Sequence, residues 1–299
     1  MKALVTGAAG FVGGHLIAHL EESGDDVVAC DRGRRGGFDV TDRECVHRVI
    51  AEHAPEVVYH LAALTHVGES WSDPVRYVRV NVEGTVNVLD ACRAAGVGRV
   101  VFVGSAEEYG LVRDADLPLR EDAPLRPSTP YGASKVAASQ FALQAYLGAG
   151  LETVRVRPFN HTGPGQSDRF LVPALARRMA EAVRTGDPTV RVGALDPVRD
   201  VSDVRDVVRA YRLLALHGAP GEVYNVCSGR GVAVAEVADL LLSMVDAPLR
   251  LVTDERLVRP TEVPRLVGDP AKLVDATGWQ PSFTLEQTLR AVLAGVDRR

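Results

Sequence analysis

The chain has 299 residues, 46% of them hydrophobic, 24% charged and 5% aromatic, an ordinary globular composition that excludes disordered, collagen-like and low-complexity classes. Lys and Arg number 34 against 39 Asp and Glu, a formal charge of −5 without the electrostatic footprint for duplex DNA or an anionic membrane, so neither is expected as a partner. At roughly 150 residues per domain, the length suggests a large and a small lobe.

The N-terminus reaches a glycine by position 7, which leaves no room for a signal peptide, and no apolar run approaches the ~18 residues of a membrane span. A cytoplasmic location is expected. Short β-branched strands are predicted at 3–6, 27–30, 57–61, 100–103 and 153–157, with helical segments near 16–20, 45–53, 82–95 and 134–147 between them. That alternation is the βαβ rhythm of a doubly wound parallel sheet with helices on both faces. After Pro158 the rhythm breaks. Gly, Pro and charged residues cluster at 158–169 and 186–200, and short segments rather than regular βα units are expected. Residues 1–157 are therefore read as a dinucleotide-binding domain and 158–299 mainly as a substrate lobe, some of whose segments return to the first core. The four cysteines, Cys30, Cys45, Cys92 and Cys227, show no CxxC pairing and read as small buried thiols in a reducing compartment; no metal site is expected.

Gly7, Gly10 and Gly13 lie between the first strand and the first helix. Their roles are distinct: one permits a tight turn, the next lets a pyrophosphate approach backbone, and the third lets helix pack on strand. The N–H groups of Phe11, Val12 and Gly13 then supply the positive end of a helix dipole. At the end of the second strand, Asp31 is placed to accept from a ribose 2′-hydroxyl, which favours NAD, whereas Arg32, Arg34 and Arg35 follow at once and suit a 2′-phosphate. Both cofactor forms stay open. Asp39 and Val40 open a segment that either reaches the adenine or caps a turn.

Tyr131 and Lys135 are four residues apart in a predicted helix, which puts them on one face. An ammonium at ~4 Å in an effective dielectric of ~20 is worth ~4 kcal/mol. Together with an oxidised nicotinamide, it is expected to bring the phenol from ~10 toward ~7. Ser105, just past the strand at 100–103, stands where a hydroxyl holds the substrate oxygen that Tyr131 protonates. Glu107 projects on the same side as Ser105 if the strand pleat continues, and Glu108 is assigned to solvent.

The GxxGxxG spacing, with Leu61-Ala62-Ala63 after the strand at 57–61, resembles the extended short-chain dehydrogenase/reductase superfamily over nearly the whole chain. The resemblance implies a Rossmann-like fold and a cofactor, NAD(H) or NADP(H), lined by Leu61, Ala62 and Ala63, with Asn81 bracing the following helix. Ser105, Tyr131 and Lys135 match the superfamily's catalytic Ser/Thr, Tyr and Lys, which implies hydride transfer at a carbinol carbon. Glu107 occupies the place of the acid/base carboxylate of nucleotide-sugar 4,6-dehydratases, though relatives that only reduce or epimerise also carry it.

The stretch 158–166 is most similar to the branch of GDP-mannose 4,6-dehydratases and GDP-4-keto-6-deoxymannose reductases. In that branch Asn160 contacts the sugar diphosphate, Leu171 and Val172 wall the nucleoside, Arg199 and Arg259 hold phosphate oxygens, and Glu262 takes a ribose hydroxyl, while His161 packs in its loop. The dehydratases carry a long segment where only eight positions separate Asp31 from Asp39, and an insertion after the Gly-Pro-Gly at 163–165, both missing here. The expectation is reduction of the C4 ketone of a 4-keto-6-deoxy nucleotide sugar by a cytoplasmic homodimer. The alternatives are a 4,6-dehydratase using Glu107, a 4-epimerase, and a non-catalytic dinucleotide sensor.

Overall fold

In the computed structural model, which describes residues 1–33, 37–257 and 263–296, the chain starts with β1 (Lys2–Thr6), α1 (Phe11–Glu22), β2 (Asp26–Cys30), α2 (Arg43–His53) and β3 (Val57–His60). Two short helices, α3 (Val67–Ser70) and α4 (Pro74–Tyr77), lead through a π-helical stretch, Val78–Glu83, into α5 (Gly84–Ala94). Then come β4 (Arg99–Val103), α6 (Pro130–Ala149), β5 (Glu152–Pro158), β6 (Asn160–Thr162), α7 (Leu171–Thr185), β7 (Thr189–Val192), β8 (Val198–Asp203), α8 (Val204–His217) and β9 (Val223–Val226). The chain finishes with β10 (Gly231–Ala233), α9 (Val234–Ser243), β11 (Arg250–Thr253), β12 (Arg265–Leu266), α10 (Ala271–Thr277) and α11 (Leu285–Val296).

The main sheet is parallel throughout, in the order β2-β1-β3-β4-β5-β9. Alternating residues bury opposite faces, as the two-residue period requires. Ala3, Val5, Tyr59, Val101 and Val154 face a core shared with Leu16 and Leu20 of α1, Val207, Tyr211 and Leu214 of α8, and Trp279. Leu4, Val58, Val100 and Phe102 face the opposite core, with Val46 and Ile50 of α2, Val88 of α5 and Ala138 of α6. The strand order reverses between β1 and β3, and a doubly wound sheet opens its ligand crevice at the carboxyl ends of such a pair. Thr6 and His60 are register partners there.

After Pro158 the regular βα rhythm of the described residues breaks, as expected, into strands of two to six residues shared among three sheets, although two long helices persist. α7 has 15 residues and α8 has 14; α8 leads from β8 of a smaller sheet to β9, which adds the sixth strand to the main sheet, so this segment returns to the first core as expected. Val204, Val207, Val208, Tyr211, Leu214 and Ala215 are buried at helical spacing, so the period was there, between arginines on the other face. Glycines and prolines in the flanking turns masked it. A second core formed by α7, β7, α9 and α11 lies wholly in residues 172–296. Beside it, β8 is the centre of a small sheet, with β10 and β12 on its flanks and β6 paired to it. Among the described residues, no helix is long and apolar enough to cross a membrane.

Candidate active site

The glycine turn is built by close contacts. Gly7 has φ +72°, and a side chain on it would stand 2.9 Å from the Ala62 amide nitrogen; one on Gly13 would stand 2.3 Å from the Gly7 carbonyl. Gly10 precedes α1 with extended backbone, no side chain caps the helix, and its first turn carries no acidic residue. A bare, positively poised helix end beside a turn that excludes side chains fits the pyrophosphate of a dinucleotide, held by the N–H groups of Phe11, Val12 and Gly13. Asp31 accepts from the backbone N–H of Ala9 at 3.1 Å and of Gly33 at 3.2 Å, at the rim of that turn. Arg32 is exposed, 4.0 Å from Asp39, and Arg34 and Arg35 lie outside the described residues. The Asp39 carboxylate accepts from both the N–H and the hydroxyl of Thr41, so it closes a turn, and Val40 is buried against α5.

A polar chain that sequence reasoning missed runs under the crevice. His60 lies between the hydroxyls of Thr6 (2.8 Å) and Thr85 (2.9 Å), and Thr85 donates to the Asn81 carbonyl. Nε2 of His60 must then carry the proton and Nδ1 must accept from Thr6. Burial pushes this imidazole down to about 3, so it is neutral. Thr6 in turn accepts the Ala62 N–H, which fixes the backbone of Leu61, Ala62 and Ala63 at the crevice floor. The Asn81 side chain accepts the Leu64 N–H and donates to the Leu64 carbonyl and to the Ser134 hydroxyl, tying this loop to α6 from inside the π-helical stretch. A histidine in an otherwise apolar strand was the available signal.

Thr129 caps α6 through the Gly132 N–H, and Pro130 begins the helix, which brings Tyr131 into its first turn. The Tyr131 phenol is buried near the Ser105 side chain and meets the Tyr77 ring edge-on at 6.3 Å. Burial pushes its pKa up; the Ser105 contact opposes this, and the charges of Glu107 and Glu108 add to it. Lys135 is also buried, donates to the Val103 carbonyl at 2.7 Å and lies over the Phe102 ring. Burial lowers it to about 8, with Glu108 working the other way. Among the protein's own groups, desolvation of the phenolate is the largest influence on Tyr131, and the Lys135 ammonium also serves the Val103 carbonyl.

Ser105 begins a 3-10 turn, Ala106–Glu108, and its hydroxyl accepts the Glu107 N–H at 3.1 Å. The strand ends at Val103, so the pleat expected to carry Glu107 does not continue; Glu107 is half-buried on that turn, and its charge acts on Tyr131. Glu108 is not in solvent. It is fully buried and paired with Arg157, a partner 49 residues away that the Glu-Glu doublet gives no hint of.

Asn160 is exposed on β6 and pairs in register with Val201; Arg199, two residues earlier on β8, belongs to the same face of the small sheet. Arg199 is half-buried and donates to the Val198 carbonyl. In the first turn of α7, Leu171 is 44% exposed, whereas Val172 packs into the second core, because adjacent helical residues point about 100° apart. His161 stacks on Phe11 at 6.4 Å and contacts the Phe159 carbonyl. Arg259 and Glu262 lie outside the described residues. No group of three or more His, Cys, Asp or Glu among the described residues is arranged to hold a metal ion.

The chain is 38% identical over 301 residues to GDP-6-deoxy-D-mannose reductase of Pseudomonas aeruginosa, covering 100% of this chain and 98% of that protein. It is 34% identical over 310 residues to UDP-glucose 4-epimerase of Streptomyces lividans, covering 94% and 92%. The solved structure of RMD from Pseudomonas aeruginosa complexed with NADPH superposes with a TM-score of 0.91 at 37% identity, over 100% of both chains. Residues 3–227 match the NAD dependent epimerase/dehydratase family, and the chain is a member of that family.

Proposed function

We propose that the protein reduces the C4 ketone of a 4-keto-6-deoxy nucleotide sugar of the GDP-mannose series to the alcohol. The observation that carries this is that buried Ser105, Tyr131 and Lys135 gather at the carboxyl end of β4, next to a glycine cradle suited to a pyrophosphate. When bound there, NADH or NADPH supplies the hydride. Ser105 holds the ketone oxygen, and Tyr131 gives its proton to that oxygen as the C4 carbon is reduced. A phenol whose pKa is pushed up by burial stays protonated at neutral pH, and an alkoxide is basic enough to take its proton. Lys135, one helical turn away, offsets the charge left on the phenolate.

Full-length similarity to a GDP-6-deoxy-D-mannose reductase and the short path from Asp31 to Asp39 favour reduction over dehydration. Residues 158–299 mainly furnish the sugar-nucleotide side, with Asn160, Arg199 and Leu171 toward the ligand. The protein acts as a cytoplasmic homodimer: its four cysteines are buried and form no disulfide, and α6 exposes Phe141 and Leu147. The direct test supplies GDP-4-keto-6-deoxymannose with NADPH or NADH and follows absorbance. One equivalent of reduced cofactor consumed per sugar is expected; ketone formed from GDP-mannose with no cofactor added would overturn the proposal in favour of dehydration. The similarity to UDP-glucose 4-epimerase supports a second reading, in which UDP-glucose is epimerised with no net consumption.

A further inference from the structure

A carboxylate that no step above uses lies directly behind Ser105. Glu108 has no exposed surface, and its two oxygens serve two donors: Oε1 accepts the Ser105 backbone N–H at 3.0 Å, and Oε2 accepts Arg157 Nε at 2.9 Å. Arg157 comes from the carboxyl end of β5 and donates onward to the Tyr109 hydroxyl at 3.1 Å and the Glu121 carbonyl at 3.0 Å. The Tyr109 hydroxyl donates to Asn225 on β9 at 2.7 Å, so the carboxylate is anchored across two strands. Backbone shape is committed to it as well, because a side chain on Gly104 would stand 2.2 Å from Oε1. Ser105 is thus held at both ends, through its N–H by Glu108 and through its hydroxyl by the Glu107 N–H.

A buried ion pair is a poor way to stabilise a core, since apolar residues of similar volume usually do as well or better. Its presence against the backbone N–H of Ser105 calls for another role. We propose that Glu108, with Arg157 as its counter-ion, is a positioning residue that fixes the Ser105 backbone so that the hydroxyl stands against Tyr131 before substrate arrives. This rests on the reading of Ser105 and Tyr131 as the groups that touch the reacting oxygen.

The test is a double-mutant cycle of Glu108→Gln with Ser105→Ala. Glutamine keeps the shape but offers one acceptor oxygen to two donors, so either Ser105 or Arg157 loses its partner. Glu108→Gln is expected to lower kcat about 10-fold, as for one hydrogen bond to a charged group. The sugar KM, and the NADPH Kd from fluorescence titration, should stay within about two-fold. The double variant should fall no further than Ser105→Ala alone. Losses that multiply would mean that Glu108 does not act through Ser105 and would overturn the proposal, as would full activity in either single variant. If Glu108→Gln does not fold, Glu108→Leu/Arg157→Met removes both charges together and is judged by the same criterion. A wild type that ignores the 4-keto sugar but epimerises UDP-glucose defeats the reductase reading alone, and the cycle run on epimerisation still decides the role of Glu108.

Discussion

The carboxyl ends of β3 and β4 and the small sheet around β8 are built on opposite plans. In the first region His60, Asn81, Ser105, Glu108, Ser134 and Lys135 are all buried and hydrogen-bonded within the protein. Along β6 and α7, Asn160 and Leu171 are open to water, and Arg199 is only half-buried. Groups that must act on charge developing in a reaction gain most from being fixed beforehand, whereas groups that grip a soluble ligand can be ordered by it. Under the proposed function, the contrast separates the chemistry of the fold from its recognition.

Substitutions should divide along that line. Tyr131→Phe removes the proposed proton donor, and kcat should fall roughly 10²- to 10⁴-fold while NADPH affinity, read by fluorescence, is kept. Gly13→Ala drives a methyl to 2.3 Å from the Gly7 carbonyl. The cost is about 1–3 kcal/mol, seen in thermal unfolding or as dinucleotide affinity lost by up to about 10²-fold. Arg199→Ala belongs to the recognition side, and its sugar-nucleotide KM should rise roughly 10-fold with kcat unchanged. An equal fall in kcat would place Arg199 with the reacting groups.

The smallest effect is a pH trend. With Lys135 lowered to about 8 by burial, its ammonium is lost as the pH passes that value, and kcat should decline a few-fold on the alkaline side. Stability moves the other way: the unfolded chain keeps this proton to higher pH, so it binds more protons above pH 8 and the native state gains. The urea midpoint of the wild type relative to Lys135→Met should therefore rise above pH 8. A midpoint difference that is flat with pH would show that Lys135 is not held in a desolvated site.

The glycine cradle and the strands around it were legible because their constraints are local. Gly7 and Gly13 are demanded by contacts a few residues away or with the adjacent strand, and the β-branched runs announce the parallel sheet. Tyr131 and Lys135 were legible for the same reason, as one face of one helix. Glu107 and Glu108 were not. Which of two adjacent carboxylates is buried depends on the strand ending at Val103 and on Arg157 arriving from β5, both tertiary facts. A signal did exist, since Arg155 and Arg157 alternate with valines in a central strand, where a buried guanidinium requires a partner. The setting of Tyr131 is tertiary in the same way: spacing puts Lys135 on the right face, but only packing shows how deeply the phenol is buried and that the ammonium donates to the Val103 carbonyl.

Hydrogen exchange read peptide by peptide tests most directly whether the reacting end is assembled in advance. Segments 100–110 and 129–137 should be strongly protected in the free protein and change little when NADPH and a GDP-sugar are added, while 160–170 and 195–201 gain protection only with the sugar nucleotide. If 100–110 exchanges as fast as 160–170 in the free protein and slows only when ligands bind, the reacting groups are organised by the ligand and the contrast between the two regions is wrong.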